Sequence, residues 1–216
     1  LYAQNAPLTR QDGYSIDSLV SAHPASAVTP YFVVKDFAYK LNLEEMKALR
    51  AKLDASLDGT MYVNQIDDFI KRMENIQVGA VAPDFTLNTP DGKPLSLHEY
   101  IKDKKLVLID FWASWCEPCR KEGENIKAIY KEYHAKGFDV LGVSLDSQME
   151  AWKEAIEKDG ITWEQVSDLK GKKTPLTELY DFMGIPCLYL VDGTGRIIAK
   201  NLRGEELRKK VAELCK

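Results

Sequence analysis

The run Leu106-Val107-Leu108-Ile109-Asp110-Phe111-Trp112 is interrupted by one polar residue and leads into Trp115-Cys116-Glu117-Pro118-Cys119, where a polar, helix-forming segment begins. A short, nearly continuous apolar run reads as a strand buried on both faces, which requires a sheet covered by helices on each side. The surrounding sequence alternates accordingly. A hairpin at 84–97 precedes the buried strand, and a helix over about 118–135, stopped by Gly137, follows it. Next come a strand at 138–145, a helix at 149–158, a short strand-like piece at 161–166 and a helix at 175–183. A hairpin of 187–191 and 196–201 and a last helix at 205–214 complete the pattern. Strands alternating with helices predict an α/β fold.

Two cysteines separated by two residues at a strand-to-helix junction point to dithiol–disulfide chemistry, although zinc sites and structural disulfides use the same spacing. If the helix starts at Cys116, Pro118 falls in its first turn, where a missing N–H costs nothing. Cys116 then stands among unsatisfied N–H groups at the positive end of the helix dipole. That setting favours the thiolate and marks Cys116 as the nucleophile. Cys119 lies one turn on, on the same face and within disulfide reach, as the thiol that resolves a mixed disulfide. Cys187 and Cys215 are single, with no second C-x-x-C and no C-x-x-H, a poor match to a four-ligand metal site. Asp110, inside the buried strand, is expected to have a raised pKa and to take the Cys119 proton during resolution. The competing reading is a strand-end Asp that reaches solvent or bonds a Lys or the backbone.

The chain has 216 residues, 45% of them apolar, and a formal net charge of −4. This length fits one full domain plus an appended segment, divided as 1–77 and 78–216. Positive charge is dispersed and no basic patch is interleaved with aromatics, which argues against nucleic acid. No run approaches the roughly 18 apolar residues of a membrane-spanning helix. Leu1 is not an initiator Met, so the chain reads as processed or trimmed. Residues 1–13 read as poorly ordered, and those up to 77 as about three helices. Thr29-Pro30 has the form of a cap followed by the first helical residue. Asn42 and Glu45 fit a capping box for a helix that Asp58-Gly59 ends. A third helix carries Met61, Ile66, Phe69, Ile70, Met73 and Ile76, closed by Gly79. These apolar stripes read as core.

The segment from Asp110 to Arg120, with its Trp-Cys-Glu-Pro-Cys, resembles the active-site strand and helix start of thioredoxins. Val78-Gly79-Ala80-Val81-Ala82-Pro83-Asp84-Phe85-Thr86-Leu87 and Asp91-Gly92-Lys93-Pro94-Leu95-Ser96-Leu97 resemble the lead-in hairpin of TlpA/ResA-like thiol–disulfide oxidoreductases. Gly184-Ile185-Pro186, with Leu188-Tyr189-Leu190-Val191-Asp192 and the turn Gly193-Thr194-Gly195, resembles that family's cis-proline loop and the hairpin after it. The resemblance covers 78–216 and implies a thioredoxin-like fold, a central mixed sheet flanked by helices, preceded here by the helical segment. It implies that Pro186 is cis and faces the dithiol. It also implies that Ile185 pairs with an extended substrate by strand addition, with Trp115, Glu117 and Pro118 beside it and Trp112 more a packing residue. Glu122, three residues after Cys119, stands where resembling members carry a functional glutamate, which makes it a second candidate proton handler beside the plainer reading of an exposed helix carboxylate.

Three positions depart from the family pattern. Asp110 stands where Asn is common, Gly123 where a Pro is usual, and Cys187 where Thr usually follows the cis-proline. Gly123 would loosen the helix rather than kink it. Cys187 reads as a small residue packed in the sheet core, with a third redox thiol as the sharper alternative.

The function implied is reduction of protein disulfides with no cofactor beyond the Cys116–Cys119 redox disulfide. The implied partners are proteins bearing disulfides or thiols and an upstream thiol electron donor, with a membrane-bound carrier as one option. The implied location is extracytoplasmic, in a bacterial periplasm, with a membrane tether on the full-length form as one option. Two alternatives compete: a non-catalytic binding module, and a thiol peroxidase of the same fold. The peroxidase needs Thr or Ser three residues before its attacking Cys, where Ala113 stands relative to Cys116.

Overall fold

The computed structural model describes residues 15–216, so the expectation of poor order at 1–13 lies outside the described residues. The chain divides into two compact units, Leu1–Glu74 and Asn75–Lys216.

The first unit is helical. It contains α1 (Ile16–Ala22), α2 (Val28–Phe32, continued by a π turn and a 3-10 turn to Lys40), α3 (Leu43–Lys52) and α4 (Met61–Asn75). Val20, Val33, Met46, Leu49, Val63 and Ile66 form its core. The expected capping box is present: Asn42 Oδ1 accepts from the Glu45 N–H at 3.0 Å, and Glu45 Oε2 accepts from the Asn42 N–H at 2.9 Å. Three expectations are corrected. The helix carrying Tyr31 begins at Val28 rather than after a Thr29 cap, because the Thr29 hydroxyl donates to the His23 carbonyl at 2.8 Å instead of capping. Pro30 therefore occupies the third helical position, where its missing N–H is still not needed. The helix after Asn42 ends at Lys52 rather than at Asp58-Gly59, because Asp54 caps a separate 3-10 turn, Ala55–Leu57, that turns Leu57 into the core. Four α-helical segments, not about three, are found among the described residues.

The second unit is a seven-stranded mixed sheet in the order β2-β1-β5-β4-β3-β6-β7. Its strands are β1 (Thr86–Asn88), β2 (Pro94–Ser96), β3 (Leu106–Trp112), β4 (Phe138–Ser144), β5 (Gln165–Ser167), β6 (Cys187–Asp192) and β7 (Ile197–Lys200). The apolar run of the sequence is β3, inside the sheet, parallel to β4 and antiparallel to β6, with every residue buried. Helices α5 (Leu97–Ile101), α6 (Glu117–Tyr133), α7 (Met149–Lys158), α8 (Leu176–Leu179) and α9 (Gly204–Leu214) cover it. On one face Leu106 and Leu108 pack with Ile126 and Ile129 of α6 and Leu207 and Val211 of α9. On the other, Val107, Ile109 and Phe111 pack with Leu97, Trp152 and Tyr180. A strand covered on both sides has no polar face to show, which is why its sequence does not alternate.

Two elements are shorter than their sequence patterns. The strand-like piece at 161–166 is reduced to β5, because the Ile161 N–H is drawn back to the Ile156 carbonyl (3.0 Å) at the end of α7. The helix expected over 175–183 stops at Leu179. The Asp181 N–H bonds the Glu178 carbonyl and the Phe182 N–H bonds the Thr177 carbonyl, with Asp181 at φ 46°. This is a Schellman closure with Asp in the left-handed position. It ends the helix just before Met183, Gly184 and Ile185.

The helix α6 passes through Gly123 without a break, and a Cβ built at Gly123 meets nothing within 4 Å. Gly123→Ala should therefore stabilise the protein by about 0.5–1 kcal/mol by restricting the unfolded chain. Urea titration should show a higher midpoint at unchanged slope; a lower midpoint would mean that the position needs glycine.

Candidate active site

The turn between β3 and α6 is pinned from the end of β4. The buried Asp146 carboxylate accepts from the Ser114 N–H (3.0 Å), the Ser114 hydroxyl (2.6 Å) and the Ser144 hydroxyl (2.7 Å). The Leu145 N–H donates to the Trp112 carbonyl at 2.8 Å, and the Cys116 N–H donates to the Ala113 carbonyl at 3.0 Å. These bonds deliver Cys116 as the N-cap of α6, one residue before the helix proper, and its Sγ accepts from the Cys119 N–H at 3.2 Å. A sulfur that accepts a helix N-terminal N–H is stabilised as an anion when reduced. Cys116 and Cys119 form a disulfide. The Ile185–Pro186 peptide is cis, and the Ile185 carbonyl oxygen lies 3.7 Å from Cys116 Sγ.

Asp110 is buried on β3, the strand that leads into the dithiol turn, with Gly142 of β4 and Leu188 of β6 in register on either side. Burial pushes its carboxyl up to about 7, the charge of Glu122 adds to the rise, and Arg203 opposes it. Only 5% of it is exposed, and among the described residues it forms no ion pair with a lysine. Glu122 is buried too, not an exposed helix carboxylate. Its Oε1 accepts from the Gly204 N–H at 2.8 Å, where α9 starts, and its Oε2 accepts from Asn125 Nδ2 at 3.2 Å. Arg203, beside Gly204, donates through Nη2 to the Pro186 carbonyl at 2.5 Å. The start of α9 thus joins the cis-proline loop to the buried carboxylates. Sequence reasoning missed Arg203, Gly204, Asn125 and Asp146; the basic residue directly before the last helix and the Ser-x-Asp after β4 were the available signals.

Above the disulfide lies a cleft of about 690 Å³ lined by Trp115, Cys116, Glu117, Pro118, Lys172, Phe182, Met183 and Ile185, among others. Trp115 is 53% and Met183 86% exposed, a large apolar area for solvent to cover. Lys172 Nζ lies 5.2 Å from the centre of the Trp115 ring. All four residues expected to contact substrate, Trp115, Ile185, Glu117 and Pro118, line this cleft. Trp112 does not; its ring is buried and its Nε1–H bonds Gln165 Oε1 at 2.9 Å. Cys187 is free and buried, paired in register with Phe111, and burial pushes its thiol up to about 12. Cys215 is likewise free and buried, at the end of α9. Among the described residues no group of His, Cys, Asp or Glu is arranged to hold a metal ion, and no helix is long and apolar enough to cross a membrane.

A family model described as the AhpC/TSA family matches residues 78–200, more than half of the chain. The thiol-disulfide oxidoreductase ResA of Bacillus cereus is 24% identical over 160 residues, which cover 74% of this chain and 89% of ResA. The thioredoxin-like protein YneN of Bacillus subtilis is 34% identical over 137 residues, covering 62% of this chain and 76% of YneN. Among solved structures, the thioredoxin domain of a thiol-disulfide oxidoreductase from Bacteroides vulgatus superposes with a TM-score of 0.60 at 39% identity, covering 65% of this chain and 99% of that one.

Proposed function

The chain belongs to the AhpC/TSA family as a TlpA/ResA-like thiol–disulfide oxidoreductase of the thioredoxin superfamily, and from that premise we propose that it reduces protein disulfides through Cys116 and Cys119. The observation that carries this reading is the placement of Cys116: N-cap of α6, bonded to Cys119, and open to the cleft beside the Ile185 carbonyl.

In the reduced protein the Cys116 thiolate attacks one sulfur of a substrate disulfide. A mixed disulfide forms, and the other substrate sulfur leaves as a thiolate that takes a proton from solvent. Cys119 then loses its proton to Asp110 and attacks Cys116 Sγ. The Cys116–Cys119 disulfide forms, the second substrate thiol is released, and two electrons have passed to the substrate. A base beneath the resolving thiol speeds this step in both directions, and the reduction potential of the pair sets which way electrons flow. Glu122, whose charge raises the Asp110 carboxyl, is the second candidate for handling the proton. The extended substrate lies along Ile185 and Pro186, with Trp115, Glu117 and Pro118 as the opposite wall.

No cofactor is needed beyond the redox disulfide. The working unit is 78–216, with 1–77 an appended helical segment. The electron donor that restores the dithiol is an upstream thiol protein, with a membrane-bound carrier as one option, and the protein works outside the cytoplasm, in a bacterial periplasm, with a membrane tether in a longer form as one option.

Catalytic amounts of the protein should accelerate insulin reduction by dithiothreitol and should not turn over hydrogen peroxide. No acceleration of insulin reduction would leave a binding module. Steady-state peroxide consumption would restore the peroxidase reading, despite Ala113 three residues before Cys116.

A further inference from the structure

Gln165, the first residue of β5, takes no part in the scheme above, yet its side chain is buried, with 3% of the residue exposed. The amide lies against Gly142 of β4: a Cβ built on that glycine would stand 2.1 Å from Nε2, 2.3 Å from Oε1 and 2.4 Å from Cδ. Glycine at 142 is what lets the glutamine side chain cross β4. Gln165 pairs in register with Gly142 on one side, and Asp110 of β3 pairs with Gly142 on the other. The amide has thus reached across the sheet to the residue next to Asp110.

Trp112 fixes which way round the amide sits. Two residues beyond Asp110, Trp112 projects from the same face of the sheet. Its indole N–H is a donor only, so the atom that it meets at 2.9 Å must be the glutamine oxygen. Nε2 is thereby turned away from the indole. It is buried and has no hydrogen-bond partner among the described residues. A buried N–H group left without an acceptor costs about 1–3 kcal/mol, which a fold does not tolerate idly. On this face, the carboxyl flanking Gly142 is that of Asp110.

We propose that Gln165 is a positioning residue for the proton step: locked by Trp112 and seated on Gly142, it turns its amide N–H groups toward the Asp110 carboxyl and favours the ionised form that can receive the Cys119 proton. The inference rests on the proposed role of Asp110 as proton acceptor. The charged and titratable groups that act on Asp110 are Glu122 of α6 and Arg203 of the segment before α9; Cys187 of β6 couples to it electrostatically from the opposite face of the sheet. Burial and Glu122 favour the protonated carboxyl, and Arg203 opposes them. A neutral donor from β5 adds to the ionised side without placing another charge in the core.

The test is a stopped-flow reaction of the reduced protein with an aromatic disulfide whose released thiolate absorbs light. Formation of the mixed disulfide gives the first phase and attack by Cys119 the second. In Gln165→Met, which keeps the length of the side chain, the pH midpoint of the second phase should rise by about half a unit or more while the first phase is unchanged. Trp112→Phe, which keeps the ring but frees the amide to turn, should shift the midpoint the same way by less. Asp110→Asn should remove the titration from the second phase. If Asp110→Asn leaves that titration in place, the role of Asp110 fails and the inference falls with it. If Asp110→Asn removes it while Gln165→Met and Trp112→Phe leave the midpoint where it was, the Gln165 inference alone is wrong.

Discussion

A reduced Cys119→Ala protein, freed of dithiothreitol, should attack an insulin disulfide and hold the insulin chain as a stable mixed disulfide on Cys116, and in the turnover assay it should be no faster than dithiothreitol alone. Cys116 is the N-cap of α6, with its sulfur facing the cleft beside Ile185, so it retains the geometry for attack when its partner is removed. Resolution is lost because Cys187, the other thiol of this core, is buried and its thiol is pushed up to about 12. A thiol with that proton affinity supplies almost no thiolate near neutral pH. Cys116→Ala should fail earlier, with neither capture nor turnover. Mass spectrometry of the trapped species distinguishes the outcomes. Insulin attached at Cys116 is expected; attachment at Cys119, or residual turnover in Cys119→Ala through Cys187, would reassign the thiols.

Asp110→Asn should make the oxidised protein more stable and the enzyme slower. The folded carboxyl stands at about 7 instead of 3.8, with burial the main cause and the Glu122 charge second. Its folded value is raised, so its contribution to stability is fully present below about pH 4 and is lost as pH rises through 7. Asparagine has no charge to bury, so its advantage should grow between pH 4 and 7 and level off above, at about 4 kcal/mol. Urea titrations at pH 4 and pH 8 provide the check. An advantage of the same size at both values would mean that Asp110 is not held in its protonated form. In the reaction, the same substitution should slow release of substrate from Cys116 more than its capture, because only the second step uses the base. Equal slowing of both steps would assign Asp110 a structural role.

The parts of the molecule legible in the sequence are those whose signals are local. β3 was visible because an inner strand is apolar at nearly every position, and α6 because Pro118 and Gly137 bracket it. The Asn42–Glu45 capping box lies within one turn. The dithiol and the Ile185-Pro186 pair are contiguous motifs, and Asp110 stood out as a carboxylate in an apolar run. What the sequence hid depends on distant partners or on backbone angles. The end of α8 turns on Asp181 adopting a positive φ, which a helical pattern continuing to Met183 does not reveal. Thr29 looked like a cap until the His23 carbonyl claimed its hydroxyl. Glu122 is buried because α9 begins 82 residues later and places the Gly204 N–H on its carboxylate. Arg203, Asp146 and Gln165 meet their partners across gaps of 17, 32 and 53 residues, where no spacing rule connects them to the cysteines.

The direction of electron flow is the centre of the functional proposal, and the equilibrium reduction potential of the Cys116–Cys119 pair against glutathione tests it most directly. A value near that of thioredoxin, about −270 mV, is expected for a protein that reduces disulfides; a value near about −120 mV, that of a strong oxidant, would contradict it.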